Sequence, residues 1–253
     1  LDEESAHYSL CRKSYISRMA FARDDAKCNA LFIVGNCAPQ NNRAFLERIA
    51  TINKQLYRPY RIIELTTSGK GLNKEYLYFL RSIADITTID LNVAAFDDAH
   101  NQELAGMTKT DKIELSSLIE NIHTLTFNLH MHVYLSNYFD VYQSNPKRFF
   151  EDCKNEYRAQ YLSIHYASPA NEWLADRQTN KETYRILLDY IRENGVSLEN
   201  TVRTPNKEVC SWKDMIVILH KPSTAPTTPP NSLILKPDGH LYTQWNNKPS
   251  LVF

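Results

Sequence analysis

Cys37 stands just after Gly35 and Asn36, in an abrupt turn that closes an apolar run, and that placement gives its sulfur a chemical prospect. A thiol beside a helix N-terminus has its thiolate favoured by the macrodipole, which makes it more nucleophilic at neutral pH. Gly35 and Asn36 let the backbone turn tightly and approach a ligand, and the first amides of the following helix offer donors to a carboxylate or phosphate. No neighbour in sequence serves as base for Cys37, although His165, His220 or His240 could reach it in space; ordinary packing of the sulfur is the simpler reading. Further along, Tyr190 and Glu193 close a helical stretch, where a carboxylate facing a crevice acts as a base or holds an amine. Glu64, Asp97 and Asp98 sit in or just after strand-like runs, placed to line the same crevice.

Two other groups have chemistry-bearing spacing. His130 and His132 point the same way if their segment is a strand, with Asn128 on that face, but a metal pair needs a third ligand and the sequence nominates none. They are therefore read as solvated or hydrogen-bonded histidines, and no metal site is expected. Lys147, Lys154 and Arg158, with Arg148 beside them, share a helical face that suits a phosphate backbone, although Glu151 sits among them and three cations on a helix are commonly its wet side. There is no three-glycine dinucleotide fingerprint and no phosphate loop with its Lys-Ser/Thr, so no nucleotide cofactor is expected.

The elements that must position these residues follow from hydrophobic periodicity. The run Ala30-Leu31-Phe32-Ile33-Val34 reads as a strand buried on both faces, and Phe45, Leu46, Ile49, Ile52 and Leu56 recur at helical spacing. Arg61 to Thr67 is a second strand returning parallel to the first, which makes a βαβ unit with its ligand site beyond the strand ends. A helix over 72–86 and a β-branched run over 86–93 add another unit. Leu125, Phe127, Leu129, Met131, Val133 and Leu135 alternate with polar residues and predict a half-covered strand, although a helical reading also fits. Pro146 opens a helix with Phe150, Cys153, Tyr157 and Tyr161 as its apolar stripe, and 180–193 is a helix stopped by Asn194-Gly195. Residues 207–219 hold one or two short strands.

The resulting expectation is an α/β fold, a Rossmann-like and mostly parallel sheet flanked by helices. One domain spans 1–221, a Pro-rich linker 222–231, and a β-hairpin extension around Pro237-Asp238-Gly239 spans 232–253. With 253 residues, 43% of them hydrophobic, the chain buries a sizeable core. Lys and Arg together equal Asp and Glu at 29 each, so no global field draws nucleic acid or membrane and any polyanion site is local. Five scattered cysteines without paired spacing argue against a disulfide framework or a zinc site and for a reducing interior. No apolar run reaches membrane-span length and no signal-like start is present, which points to a cytoplasmic protein with no membrane partner.

Leu31 to Asn36, with its Gly-Asn turn, and the Tyr- and Glu-bearing stretch Tyr184 to Glu193 resemble the corresponding pieces of cyclodipeptide synthases. The topology from Cys28 to Leu219 is similar to that family's, whose fold looks like the catalytic half of class I aminoacyl-tRNA synthetases. The resemblance implies a transferase with no cofactor that joins two aminoacyl groups from charged tRNAs into a diketopiperazine. Gly35, Asn36, Glu64, Asp97 and Asp98 would then bind substrate, and Lys147, Arg148, Lys154 and Arg158 the tRNA. Tyr190 and Glu193 would handle the amine. Ile33 stands where the family has its acyl-accepting serine, which leaves Cys37 as a substitute acceptor, and Tyr190 and Glu193 are three apart where the family has four. An acidic pocket of Glu64, Asp97 or Asp98 would suit an arginine side chain. The rival readings are a transferase using a nucleotide donor, such as a glycosyltransferase with metal at Asp97-Asp98, and a non-catalytic interaction module or effector on an α/β scaffold.

Overall fold

The computed structural model describes residues 14–34, 39–104, 114–166, 181–198, 207–220, 233–235 and 240–243. Ten strands are present: β1 (Ala30–Ile33), β2 (Ile62–Thr67), β3 (Thr88–Val93), β4 (Asn128–Leu135), β5 (Tyr161–Tyr166), β6 (Val196–Ser197), β7 (Lys207–Trp212), β8 (Met215–His220), β9 (Ile234–Leu235) and β10 (Leu241–Tyr242). The helices are α1 (14–24), α2 (Arg43–Gln55), α3 (Lys74–Ser82), α4 (Asp98–Leu104), α5 (Leu115–Thr124), α6 (Pro146–Glu151) and α7 (Lys181–Asn194). Eight strands form one sheet in the order β1-β2-β3-β4-β5-β8-β7-β6, and β9 and β10 form a small antiparallel pair. This is the expected α/β architecture, a mostly parallel sheet flanked by helices with a C-terminal hairpin.

Local chemistry explains the helix starts. Asn42, Asn73 and Asn145 each cap a helix by accepting an amide three residues on, from Phe45, Tyr76 and Arg148. The first two strands pair in parallel, Leu31 opposite Ile63 and Ile33 opposite Leu65, as the βαβ reading requires. β4 is a strand, so its alternation outweighed the competing helical periodicity. It pairs in parallel with β3 on one side and β5 on the other.

The strand order decides where a site can form. From β1 through β5 each parallel neighbour is the next strand in sequence. Right-handed crossovers that always step the same way stack their helices on one face of the sheet. Ile63, Leu65, Ile89, Leu91, Val93, Leu129, Met131, Val133, Leu135, Leu162, Ile164, Val217 and Leu219 supply that covered face and are almost fully buried. The alternate residues of the same strands make a second, partly open face.

Two expectations are corrected. β1 is not buried on both faces: it lies at the edge of the sheet order, and Phe32 on the open face is 57% exposed. Nor does one helix carry Phe150, Cys153, Tyr157 and Tyr161. α6 widens into a π turn over Asp152–Glu156, Arg158 follows at φ 49°, and Tyr161 opens β5. In the described part of the hairpin, Leu235 packs against the main core and Ile234 and Leu241 are buried. The Pro-rich linker lies outside the described residues. No described helix is long and apolar enough to cross a membrane.

Candidate functional site on the open face of the sheet

Strand register brings a row of polar side chains together on the open face. Thr66 is opposite Asp90, Asp90 opposite His130, Asn92 opposite His132, His132 opposite Ser163, Tyr134 opposite His165, and His165 opposite His220. Lys207 of β7 continues the last row beyond His220. Directly opposed residues of neighbouring strands share a face, so six neighbouring strands deliver one cluster.

Asp90 is its centre and is only 6% exposed. Its Oδ2 accepts the Thr66 hydroxyl at 2.8 Å. Its Oδ1 lies 2.6 Å from Nε2 of His132 and 3.3 Å from Nδ1 of His130. The short approach to His132 falls inside hydrogen-bonding distance but off the line of the ring N–H, so Oδ1 and Nε2 are both left without an aligned partner. The far nitrogens of both rings are engaged elsewhere: Nε2 of His130 is 2.8 Å from the Ser163 hydroxyl, and Nδ1 of His132 is 2.7 Å from Nε2 of His165. His165 in turn stacks on His220 and on Tyr134, with centroids 3.9 and 4.6 Å away.

Burial sets the charge states. Burial pushes Asp90 upward, but the short approach and charge of His132, the charge of His130 and the Thr66 hydroxyl together hold it below the usual carboxylate range. Burial, with His132 as a like-charged neighbour, takes His130 down to about 4, and burial with Lys207 and His132 takes His220 to about 3. His165 is held well below its ordinary value by burial and by His220. Burial, then the Asp90 charge, raises Glu64 to about 7. The face thus presents a carboxylate beside neutral imidazoles.

The residues singled out in the sequence separate into distinct places. Glu64 lies on this face, on β2, close enough to feel Asp90. Asp97 and Asp98 do not line it: Asp97 accepts the His100 amide and faces the His100 ring at 2.7 Å, and Asp98 accepts the Leu115 amide at 2.8 Å. They fasten the start of α4 and α5. Tyr190 stacks on Phe150, and Glu193 is exposed near the end of α7, which packs against β7 and α6. The turn at Gly35, Asn36 and Cys37 lies outside the described residues. It follows β1, and β2, β3, β4, β5 and β8 stand between β1 and β7, so α7 and β1 belong to opposite ends of the sheet order.

The cations expected to meet tRNA lie along α6, its π turn and the residues just after it. Lys147 and Arg148 pair with Glu151 and Asp152, one turn on, at 3.4 and 3.6 Å. Arg158 reaches Glu120 at 2.7 Å, and Lys154 lies in the π turn. Cys153 and Cys210 are buried and Cys28 is half-buried. The sequence matches no protein-family model, and no curated protein is similar to it.

Asp90, His165 and His220 are the members of this cluster that sequence reasoning did not join to His130 and His132. A usable signal existed: an acid inside a β-branched run, in the same phase as polar residues of the next strands.

Proposed function

We propose that this chain is an aminoacyl-transferring enzyme whose reaction centre is the open face of the sheet. The observation that carries the reading is the arrangement of two acids, Glu64 and Asp90, beside a row of imidazoles, with no cation paired to Glu64 among the described residues. A carboxylate without a cation binds an ammonium group, and one raised to about 7 also takes its proton. Those are the two operations that an aminoacyl group needs before its amine attacks an ester. In the step proposed, Glu64 holds the α-ammonium of one aminoacyl group and, with its carboxyl raised to about 7, takes the proton. The amine attacks the second ester carbonyl, the new C–N bond replaces the C–O bond, and the proton goes to the departing ribose oxygen. The amine of the resulting dipeptidyl group then attacks the remaining ester in the same way, closing the ring and releasing the other tRNA.

The test is incubation of the purified protein with charged tRNAs, arginyl-tRNA among them, followed by mass spectrometry for cyclic dipeptides. Wild-type protein should release one. Glu64→Gln should reduce the rate by about 100-fold, the scale of lost acid–base assistance. Absence of any peptide-bonded product from a full mixture of charged tRNAs overturns the reading.

A further inference from the structure

We infer that Asp90, His130 and His132 form a binding site for one divalent transition-metal ion of the zinc type. The inference goes beyond the transfer reaction, because it rests on the donor geometry and holds whatever substrate the face receives. One carboxylate oxygen and one nitrogen from each ring converge, all within 4.8 Å of one another.

Three features point to an ion rather than to a plain hydrogen-bonded cluster. The first is the commitment of the far ring nitrogens. With Nε2 of His130 against Ser163 and Nδ1 of His132 against His165, the near nitrogens, Nδ1 and Nε2, are the ones turned to Asp90. A neutral imidazole carries one proton. Where that proton is given to the partner behind, a lone pair is left facing a carboxylate, an arrangement that a cation between them resolves. Metal-bound histidines are held in this way, by a second hydrogen bond on the ring nitrogen away from the ion.

The second is the unaligned pair of atoms. Oδ1 of Asp90 and Nε2 of His132 are buried, adjacent, and both without an in-line partner, although buried polar atoms are nearly always satisfied. Asp90 is held in place from behind by Thr66, so its free oxygen is aimed at the rings.

The third is size. Ligands at about 2.0–2.1 Å from a tetrahedral zinc lie roughly 3.3 Å apart. The Asp90–His130 separation is 3.3 Å, and the Asp90–His132 separation, 2.6 Å, needs to open by about 0.7 Å. Two imidazoles and one carboxylate suit zinc, cobalt or iron(II) and suit magnesium poorly, since magnesium prefers an all-oxygen octahedron. The two histidine side chains keep 15% and 16% of their surface exposed, so the ion is reachable from the open face.

The experiment uses the full chain stripped with a chelator and titrated with CoCl2 and ZnCl2. One Co2+ per chain should bind and give the visible absorption of a four- or five-coordinate ion. Zn2+ should displace it, and an excess of MgCl2 should not. X-ray absorption at the zinc edge should show two imidazole nitrogens, a readout that requires no variant. His132→Gln and Asp90→Asn should each weaken Co2+ binding at least 100-fold. His165→Ala, which removes only the group behind His132, should weaken it about 10–100-fold. His100→Ala, whose ring faces Asp97, should bind as wild type does. No stoichiometric Co2+ in wild-type protein, sulfur in the zinc shell, or full binding retained in folded Asp90→Asn would each overturn the site. Failure of the charged-tRNA assay leaves these outcomes unaffected, so the two proposals fall separately.

Discussion

The two faces of the central sheet are made by the same strands and could hardly differ more. On β4, Leu129, Met131, Val133 and Leu135 enter the helix-covered side with essentially no exposure, while His130, His132 and Tyr134 stand on the other side with partners from β3 and β5. One face is held by burial, at roughly 25 cal/mol per Å² of apolar surface. The other is held by directed polar contacts around Asp90. The alternation of a strand thus encodes core and site at once, and a change of one residue along β4 should exchange a stability effect for a functional one.

The largest expected effect breaks the covered face. Met131→Ala should cost about 2–5 kcal/mol, the range for truncating a fully buried side chain, and urea denaturation will read it as a lower midpoint. Its neighbour His132→Gln should cost about 1 kcal/mol or less, since the side chain is partly exposed and an amide is itself able to pair with Asp90, yet it should abolish metal binding. Equal destabilisation by the two would mean that the open face is as much a packing surface as the other.

Acid separates the faces without mutation. His130, His165 and His220 are held below the ordinary histidine value of about 6.5, by burial first and then by one another and Lys207. A histidine whose folded value is depressed keeps the folded state favoured above about pH 6.5. The unfolded chain then takes up more protons as the pH falls toward the folded values of about 4 for His130 and about 3 for His220. Stability should decline across that window. Asp90, whose folded value is also depressed, adds to the loss at the acid end, while Glu64, raised to about 7, works the other way between about pH 7 and its ordinary value and offsets roughly one histidine of the three. Thermal unfolding between pH 7 and pH 4 should therefore show Tm falling by several degrees per pH unit at most. A flat profile would indicate that the imidazoles are not buried as neutral groups.

Much of this division is written along the chain, and its limits are physical. The phase of β4 is legible because six apolar residues alternate with polar ones, and the βαβ start is legible from the run at Leu31 and the return at Ile63. His130 and His132 were recognisable as a same-face pair. Their third partner was not, because Asp90 reaches them only through the parallel register of β3 on β4, and nothing in a single sequence fixes which strands become neighbours. His165 and His220 were considered only as distant partners for Cys37, since strand order was unknown. Asp97 and Asp98 looked like ligands because acids after a strand often are; here amide donors from α4 and α5 claim them. The π turn after α6 was hidden because Phe150, Cys153 and Tyr157 keep helical spacing through it.

The smallest predicted effect sharpens the contrast most. Thr66 touches no ring of the cluster; its hydroxyl donates to Asp90 Oδ2 and so fixes the direction in which Oδ1 points. Thr66→Val keeps the volume and removes only that donor, so the fold should lose about 0.5–1.5 kcal/mol. Co2+ affinity should drop about 10-fold, as expected for a residue that orients a ligand. Thr66→Ser restores the hydroxyl, and with it the affinity, even though it leaves the strand slightly less well packed. Affinity that follows the methyl group instead of the hydroxyl, with the serine variant as weak as the valine, would show that Asp90 is aimed by packing and not by its hydrogen bond.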